Sequence, residues 1–294
     1  MQVVVYSNVF KDKDKIYVQE LFDVLHEENI NAYVFEPYLQ QLQGKINFKR
    51  DVGSFAGYVD FTMHRRFDCV ISLGGDGTVL RAASEVRDSN IPMMGINLGR
   101  LGFLASIEKR RIKIAISLLK RGRFTIDERY LLHLDSNKPL FGDMPFALND
   151  CTLLKRDTSS MITIHAYING AYLNTYWADG IIIATSTGST GYSLSCGGPI
   201  VFPRSGNFVI TPVAPHNLNA RPVVISDSSV VSFEIEGRAD NFLCTLDSRF
   251  ETITAEHQLA IRKCDFTVKF VELPDIDFMT TIRGKLLWGK DARN

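Results

Sequence analysis

Apolar and polar positions follow two rhythms along the chain, and the change falls near Phe124. Up to about residue 100, short apolar runs alternate with stripes at helical spacing. Val3 to Tyr6 predicts a strand, Tyr17, Leu21, Val24 and Leu25 predict one face of a helix, and Ala32 to Phe35 predicts a second strand. Cys69 to Leu73 and Pro92 to Ile96 are further strands, with Val79, Leu80, Ala82, Ala83 and Val86 making a helical stripe between them. Glu36 to Phe67 is less regular, polar from Gln40 to Lys45 and broken by Gly53 and Gly57; a helix is expected near Phe55 to Phe67 after a variable loop. Ile107 to Lys120 then reads as a helix with Ile112, Ala115, Ile116 and Leu119 on one face.

Beyond Phe124 the runs are short, β-type and separated by turn residues: Tyr130 to Leu134, Phe146 to Leu148, Met161 to Ile168, Gly180 to Ala184, Phe208 to Thr211, Val223 to Ile225, Val230 to Ile235, Phe242 to Leu246, Leu259 to Ile261 and Phe266 to Val271. That density without helices predicts an all-β sandwich or stacked sheets. Phe278, Ile282, Leu286, Leu287 and Trp288 look helical again and are expected to pack back on the first domain. The expected architecture is a Rossmann-like parallel α/β domain over residues 1–123, rejoined by a C-terminal helix at 275–294, and a β-sandwich-like domain over 124–274.

Composition narrows the function classes. The 294 residues are 45% hydrophobic and 22% charged, ordinary for a globular protein, and Lys+Arg equals Asp+Glu. A nucleic-acid role is unsupported without a basic surplus. The N-terminal stretch reads as a strand rather than a basic leader, and no apolar run approaches a membrane span, so a cytoplasmic protein is expected. Cys69, Cys151, Cys196, Cys244 and Cys264 are scattered without a C-x-x-C and read as core residues in a reducing compartment. The six histidines show no zinc-ligand spacing, and no built-in metal site is predicted.

Candidate chemistry concentrates at Leu73 to Arg81, LGGDGTVLR, where a strand enters three glycines and a helix leaves. Gly74, Gly75 and Gly77 permit positive φ and close approach, and the free N–H groups of the helix start favour an anion such as phosphate. Asp76 is the anomaly there. It would repel phosphate unless it takes a proton from an attacking hydroxyl or holds a metal; the plainer alternative is an N-cap. The Lys of a Walker A loop is absent, and the G-x-G-x-x-G fingerprint is unmatched. Ile96 to Leu104, with Gly99 and Gly102, reads either as a loop pressed against something flat or as a hydrophobic interdomain turn.

Two stretches of the second domain stand out. Asn149-Asp150 ends an apolar run and offers either a grip on vicinal hydroxyls or an ordinary Asn-Asp turn. Asp179 to Pro199, DGIIIATSTGSTGYSLSCGGP, leads a strand into a run dense in hydroxyls and glycines, with Tyr192 offering a ring for a base. It reads as a polar-ligand site, against the alternative of a plain Ser/Thr loop. A serine-nucleophile elbow, G-x-S-x-G, is absent.

Gly74 to Thr78 resembles the GGDGT signature of NAD kinases, diacylglycerol and sphingosine kinases and, more loosely, 6-phosphofructokinases. GGDGT, LGRLGF, Asn149-Asp150, DGIIIATSTGSTGYSLSCGGP and Thr211 to Pro222 (TPVAPHNLNARP), in that order, resemble a bacterial-type NAD kinase over nearly the whole chain. The resemblance implies ATP, or another phosphoryl donor, and NAD as substrates, a divalent cation (Mg²⁺ carried with ATP), NADP as product, and a homodimer or homotetramer whose neighbouring β domains complete the pocket. It implies Asp76 as the catalytic carboxylate near the adenosine 2′-hydroxyl and Gly74, Gly75, Gly77, Thr78 and Arg81 as the phosphate loop. It further implies an NAD site at Phe103, Asn149, Asp150, Asp179, Thr187, Thr190, Gly191, Tyr192, Ser193, Leu194 and Ser195. The chain departs from the family where Asp150 replaces the usual Glu, Ser186 a common Pro, Gly191 an Ala, and Arg249 a frequent Gln. A lipid kinase of the diacylglycerol type, needing a greasy acceptor pocket, and a non-catalytic nucleotide sensor are the rival expectations.

Overall fold

Val3, Val4 and Val5 are all fully buried, which successive strand residues achieve only when both faces of a sheet are covered. In a computed structural model of the chain, which describes residues 1–62, 66–156, 161–237 and 241–288, they lie mid-sheet in the first of two compact units. This unit comprises Met1–Glu128 and Val268–Asn294. Gln2–Tyr6 pairs in parallel with Asn31–Phe35 on one side and Cys69–Gly74 on the other. Gly53–Phe55 adds beyond the former, and Met93–Asn97 beyond the latter. Val3, Val5, Ile71, Met94 and Ile96 enter one core with the apolar faces of helices Lys15–Glu27 and Ile112–Lys120. Helix Asp76–Val86 packs beside Cys69–Gly74, burying Val79, Ala82, Ala83 and Val86.

Three local expectations are corrected in this unit. Glu36–Leu42 is a helix, with Pro37 in its first turn, where a missing N–H costs nothing. Phe55 closes a strand, and the helix after it covers only Tyr58–Thr62, Arg66 and Phe67 being non-helical and residues 63–65 outside those described. Ile107 begins a two-residue strand beside Met93–Asn97, so the following α-helix starts only at Ile112. The C-terminal helix Phe278–Leu286 belongs to the first unit, as expected; the Asp277 carboxylate caps it by accepting the Thr280 N–H at 2.6 Å.

The second unit is Arg129–Thr267. Its six-stranded antiparallel sheet runs Val223–Ser226, Asn207–Val213, Gly180–Thr185, Asp150–Lys155, Phe242–Leu246, Arg249–Ile253. A second antiparallel layer holds Ala171–Ala178, Ile162–Ile168, Val231–Glu236 and residues 259–261 of strand Leu259–Glu272. Leu153, Ile181, Ile183, Phe242 and Cys244 from one layer share a core with Ile164, Ala166, Phe233 and Ile261 from the other. Ile182, Ala184 and Val209 form a smaller core with Val201 on the sheet's other side, which is why Gly180–Thr185 reads as an unbroken apolar run. The β-sandwich expectation holds, with one amendment: a 3₁₀ turn, Gly188–Thr190, and a short helix, Tyr192–Ser195, interrupt the strands. The two runs between Leu259 and Val271 are one continuous strand. No helix among the described residues is long and apolar enough to cross a membrane.

Candidate functional site

In the first unit the glycine turn is tighter than expected. Strand Cys69–Gly74 passes through Gly75 alone into helix Asp76–Val86. None of Gly74, Gly75 and Gly77 has positive φ, so the expected left-handed backbone is not why they are glycine. At Gly74 a Cβ would lie 2.3 Å from Thr78 Oγ1, an impossible contact, whereas at Gly75 and Gly77 it would meet nothing within 4 Å. The first glycine is required by the protein's own packing. The other two, both exposed, leave bare backbone beside a helix start whose first N–H groups have no carbonyl one turn back.

Asp76 is not an N-cap. Gly75 holds that position, and no side chain caps the helix. The Asp76 carboxylate instead accepts three consecutive amides from the glycine loop that follows Met93–Asn97: Phe103 N–H at 2.9 Å on Oδ2, and Leu104 and Ala105 N–H at 3.1 and 2.9 Å on Oδ1. The loop is therefore pressed against the protein's own carboxylate. Asn97 Oδ1 accepts the Gly99 N–H at 2.6 Å, and Lys109 Nζ donates to Leu98 O at 3.0 Å. From the C-terminal helix, Lys285 Nζ donates to Leu101 O at 2.6 Å, and the Phe278 ring lies 6.4 Å from that of Phe103. Thr78 is half-buried beneath the turn, and Arg81 is exposed one helical turn further on.

The second unit builds a comparable arrangement around Asn149 and Asp150. Asp150 opens strand Asp150–Lys155, so the pair precedes a strand as well as following the short strand Phe146–Ala147. The Asn149 backbone is fixed from both sides: its N–H donates to Asp247 Oδ1 at 2.8 Å, and its carbonyl accepts the Thr185 N–H at 2.8 Å. Gly188 lies so close that a Cβ would fall 2.0 Å from Asn149 O. Asn149 Oδ1 is buried without a hydrogen-bond partner among the described residues. Asp150 is nearly buried and accepts the Thr152 hydroxyl at 3.1 Å on Oδ1. Burial first, then the Asp247 charge, push its carboxyl up to about 7 against the opposing Thr152 bond.

The hydroxyl-rich run is used differently from the expectation. Thr185 Oγ1 donates to Leu148 O at 2.6 Å, Ser189 Oγ to Ser186 O at 2.7 Å and Thr190 Oγ1 to Thr187 O at 3.2 Å; Ser193 Oγ, fully buried, shares a proton with Thr211 Oγ1 at 2.8 Å. Thr187 Oγ1 accepts from Arg129 at 3.2 Å. These hydroxyls chiefly shape the loop, and what they leave uncovered is Ser195 and the Tyr192 ring, with Gly191 and Leu194 half-buried between. Asp179 forms an ion pair with Lys155 at 2.6 Å. Withdrawal from water raises the Tyr192 pKa, Cys196 adds to that, and Asp179 and Asp150 both contribute, so acids from two separate motifs act on one phenol. A Cβ on Gly191 would stand 3.4 Å from Asn149 Nδ2 and 3.8 Å from Asp150 Oδ2, which places two of the chain's departures, Asp150 and Gly191, beside each other. Among the described residues no three His, Cys, Asp or Glu side chains gather into a metal cradle.

Two residues at work in these loops carry little sequence signal: Gly102, which closely abuts the Asp76 carboxylate and is marked only by its place in a glycine-interrupted apolar stretch, and Asp247, whose Asp-Ser pair between two strand runs signals only a hairpin turn.

A parallel-sheet unit with a Gly-Gly-Asp turn at a strand's carboxyl end, on a chain that also folds an antiparallel sandwich, defines a two-unit protein of the α/β-plus-β class. Residues 3–124 match the ATP-NAD kinase N-terminal domain, and residues 148–273 match the ATP-NAD kinase C-terminal domain. The chain is 46% identical over 290 residues to the NAD kinase of Cytophaga hutchinsonii, covering 98% of each, and 43% identical over 296 residues to that of Flavobacterium johnsoniae, covering 100% of each. It belongs to the ATP-NAD kinase family. Among solved structures, yeast NADH kinase complexed with NADH superposes with a TM-score of 0.86 at 22% identity, covering 98% of this chain and 88% of that one. An NAD kinase from Archaeoglobus fulgidus in complex with ATP gives 0.75 at 22% identity, covering 99% and 98%. Family membership does not favour the lipid-kinase or sensor expectations.

Proposed function

We propose that the chain transfers the terminal phosphoryl group of ATP to the 2′-hydroxyl of the adenosine ribose of NAD, giving NADP and ADP. The observation that carries this reading is Asp76: a half-buried carboxylate at a helix N-terminus, oriented by three amides, between two glycines whose backbone is open. A triphosphate lies against the bare backbone of Gly75 and Gly77 and the helix N-terminus, with Gly74 and Thr78 shaping the turn and Arg81 supplying positive charge. Oδ1 already accepts two amides and Oδ2 only one, so Oδ2 keeps the freer lone pair for a substrate hydroxyl. The 2′-hydroxyl proton passes to Asp76 as its oxygen bonds to the terminal phosphorus. The bond from that phosphorus to the bridging oxygen breaks, and ADP leaves with the electron pair.

In the second unit the dinucleotide is bound by Asn149, whose buried Oδ1 gains the donor it lacks, and by Asp150, which accepts ribose hydroxyls. Tyr192 offers its exposed ring to a base, and Asp179, Thr187, Thr190, Gly191, Leu194 and Ser195 line the approach, with Ser193 holding the loop from beneath. In the first unit Phe103, on the loop that seats Asp76, is the aromatic residue assigned to NAD. A divalent cation such as Mg²⁺ would come with the triphosphate, Asp76 being the carboxylate of this chain that could help to hold it, and it would neutralise phosphate charge there.

The edge strand Ala171–Ala178 carries the exposed Tyr172 and Trp177, and proteins normally cover or pair such edges. The assembly is a homodimer or homotetramer, which light scattering at working concentration checks; an active monomer would sink it. Five free cysteines suit a reducing cytoplasm. The deciding measurement is NADP formation from NAD, ATP and Mg²⁺ by the wild type and by Asp76→Asn. Absence of NADP with the wild type overturns the reaction, and an undiminished Asn variant overturns the role of Asp76.

A further inference from the structure

Strands Phe242–Leu246 and Arg249–Ile253 form a hairpin closed by Asp247 and Ser248. Asp247 has φ +53°, a left-handed conformation that Asp, Asn and Gly tolerate. A turn residue of this kind needs no distant partner, yet the Asp247 carboxylate reaches a segment almost a hundred residues earlier. Oδ2 accepts the Leu148 N–H at 2.9 Å, and Oδ1 accepts those of Asn149 and Asp150 at 2.8 and 3.3 Å. The Asp247 N–H donates in turn to Asp150 O at 3.0 Å.

The grip extends into the strand that follows the turn. Arg249 donates from Nη1 to Met144 O at 2.6 Å and from Nη2 to Phe146 O, and Glu251 Oε1 accepts the Phe141 N–H at 2.7 Å. Arg249 and Glu251, two residues apart on the strand, share a face, so donor and acceptor there follow the acceptor of the turn residue Asp247 in holding the backbone of residues 141–150. Withdrawal from solvent raises the Asp247 pKa, which the bound amides and Arg249 oppose. Keeping a carboxylate here at that desolvation cost is unexplained by the turn alone.

We propose that Asp247, supported by Arg249, is a positioning residue that sets Asn149 and Asp150 for the dinucleotide. It acts through three consecutive backbone amides without touching the ligand. This rests on the reading of Asn149 and Asp150 as the NAD grip. The arrangement repeats in the second unit what Asp76 does to Phe103, Leu104 and Ala105 in the first.

The test uses the full-length protein with Asp247→Asn and Asp247→Gly, both compatible with a left-handed turn, and compares deuterium uptake over residues 146–151 with KM for NAD, KM for ATP and kcat. Uptake at Leu148, Asn149 and Asp150 is expected to quicken at least about tenfold in Asp247→Gly, the equivalent of one lost charge-assisted hydrogen bond, and less in Asp247→Asn, which keeps one acceptor oxygen. KM for NAD is expected to rise about tenfold to a hundredfold, as misplaced binding groups cause, with KM for ATP unchanged. If Asp247→Gly does not fold, Asp247→Asn carries both readouts. Unchanged uptake overturns the clamp, as does an equal rise in both KM values. Faster uptake with unchanged KM for NAD overturns the positioning role. Asp150→Ala, run alongside, separates that from failure of the underlying reading, because unchanged KM for NAD there means that the pair does not bind NAD at all.

Discussion

Gly102 stands against Asp76 so closely that a Cβ on the glycine would lie 1.9 Å from the carboxylate Oδ1. No rotamer adjustment absorbs that contact while the neighbouring amides of Phe103, Leu104 and Ala105 hold the same carboxylate. Gly102→Ala is therefore expected to push loop and carboxylate apart, destabilising the fold by ~1–3 kcal/mol in a denaturant melt. The same displacement should lower kcat by about a hundredfold, as misplacement of a reacting group does. A variant with wild-type kcat would show that the seating of Asp76 is not needed for turnover.

Gly75 and Gly77 make the opposite test. Their Cβ positions meet no protein atom, so Gly77→Ala should melt close to the wild type, and Gly75→Ala, which puts a poorer residue at the N-cap, should lose no more than about 1 kcal/mol. If a triphosphate lies on that backbone, the added methyl groups occupy its place, and KM for ATP should rise while KM for NAD holds. Unaltered kinetics in both variants would remove the phosphate from this turn.

Asp76→Asn is less innocent than an isosteric change suggests. The Asn oxygen can replace one carboxylate oxygen, but its NH₂ meets an N–H donor where the other stood, leaving at least one backbone amide of the loop unpaired. Stability should fall by ~1–3 kcal/mol in addition to a loss of ~10²–10⁴-fold in kcat. A melt identical to the wild type would mean the three amides contribute nothing to holding the loop.

The sheets were legible because their residues are locally consistent: the apolar runs at Val3–Tyr6, Cys69–Leu73 and Phe242–Leu246 coincide with observed strands to within a residue or so. Glu36–Leu42 was illegible because Gln40 and Gln41 break its apolar stripe, and the Gln41 amide instead serves the chain by donating to Asn8 O and accepting from the Phe10 N–H. The candidate site was legible as motifs and illegible as geometry. Nothing near Asp76 in sequence reveals that its partners are 27 to 29 positions away, and nothing around Asn149 points to Asp247. Such pairings are set by how strands stack, which no local pattern encodes.

Asp150 predicts a pH dependence of two opposite signs. Its folded pKa, about 7, lies above the ordinary 3.8, so the folded form binds the extra proton. The contribution to stability is present below about pH 4 and is lost as pH rises through about 7, amounting to up to ~4 kcal/mol. Asp150→Asn, which needs no proton, should gain stability relative to the wild type from pH 6 to pH 8. The groups bearing on this carboxyl are Asp247, Thr152, Tyr192, Cys151 and Cys196. Over the same window the ionised form, the better acceptor for ribose hydroxyls, increases, so kcat/KM for NAD should climb as stability declines. A profile flat from pH 6 to pH 8, with no difference in melting between the two proteins, would place the Asp150 pKa outside that range.

The second unit lies wholly between residues 128 and 268 of the chain, whereas the first is made of segments on either side of it. During synthesis the second unit is therefore complete in sequence while the first still lacks residues 268–272, whose Phe270 pairs with Met93, and the helix whose Lys285 holds Leu101. The later-numbered unit has the earlier opportunity to finish. Free chains truncated just past residue 270 should show protease protection over residues 129–267 while the parallel sheet is not yet fully resistant, so the loop that seats Asp76 gains the support of Lys285 only after the second unit has its whole sequence.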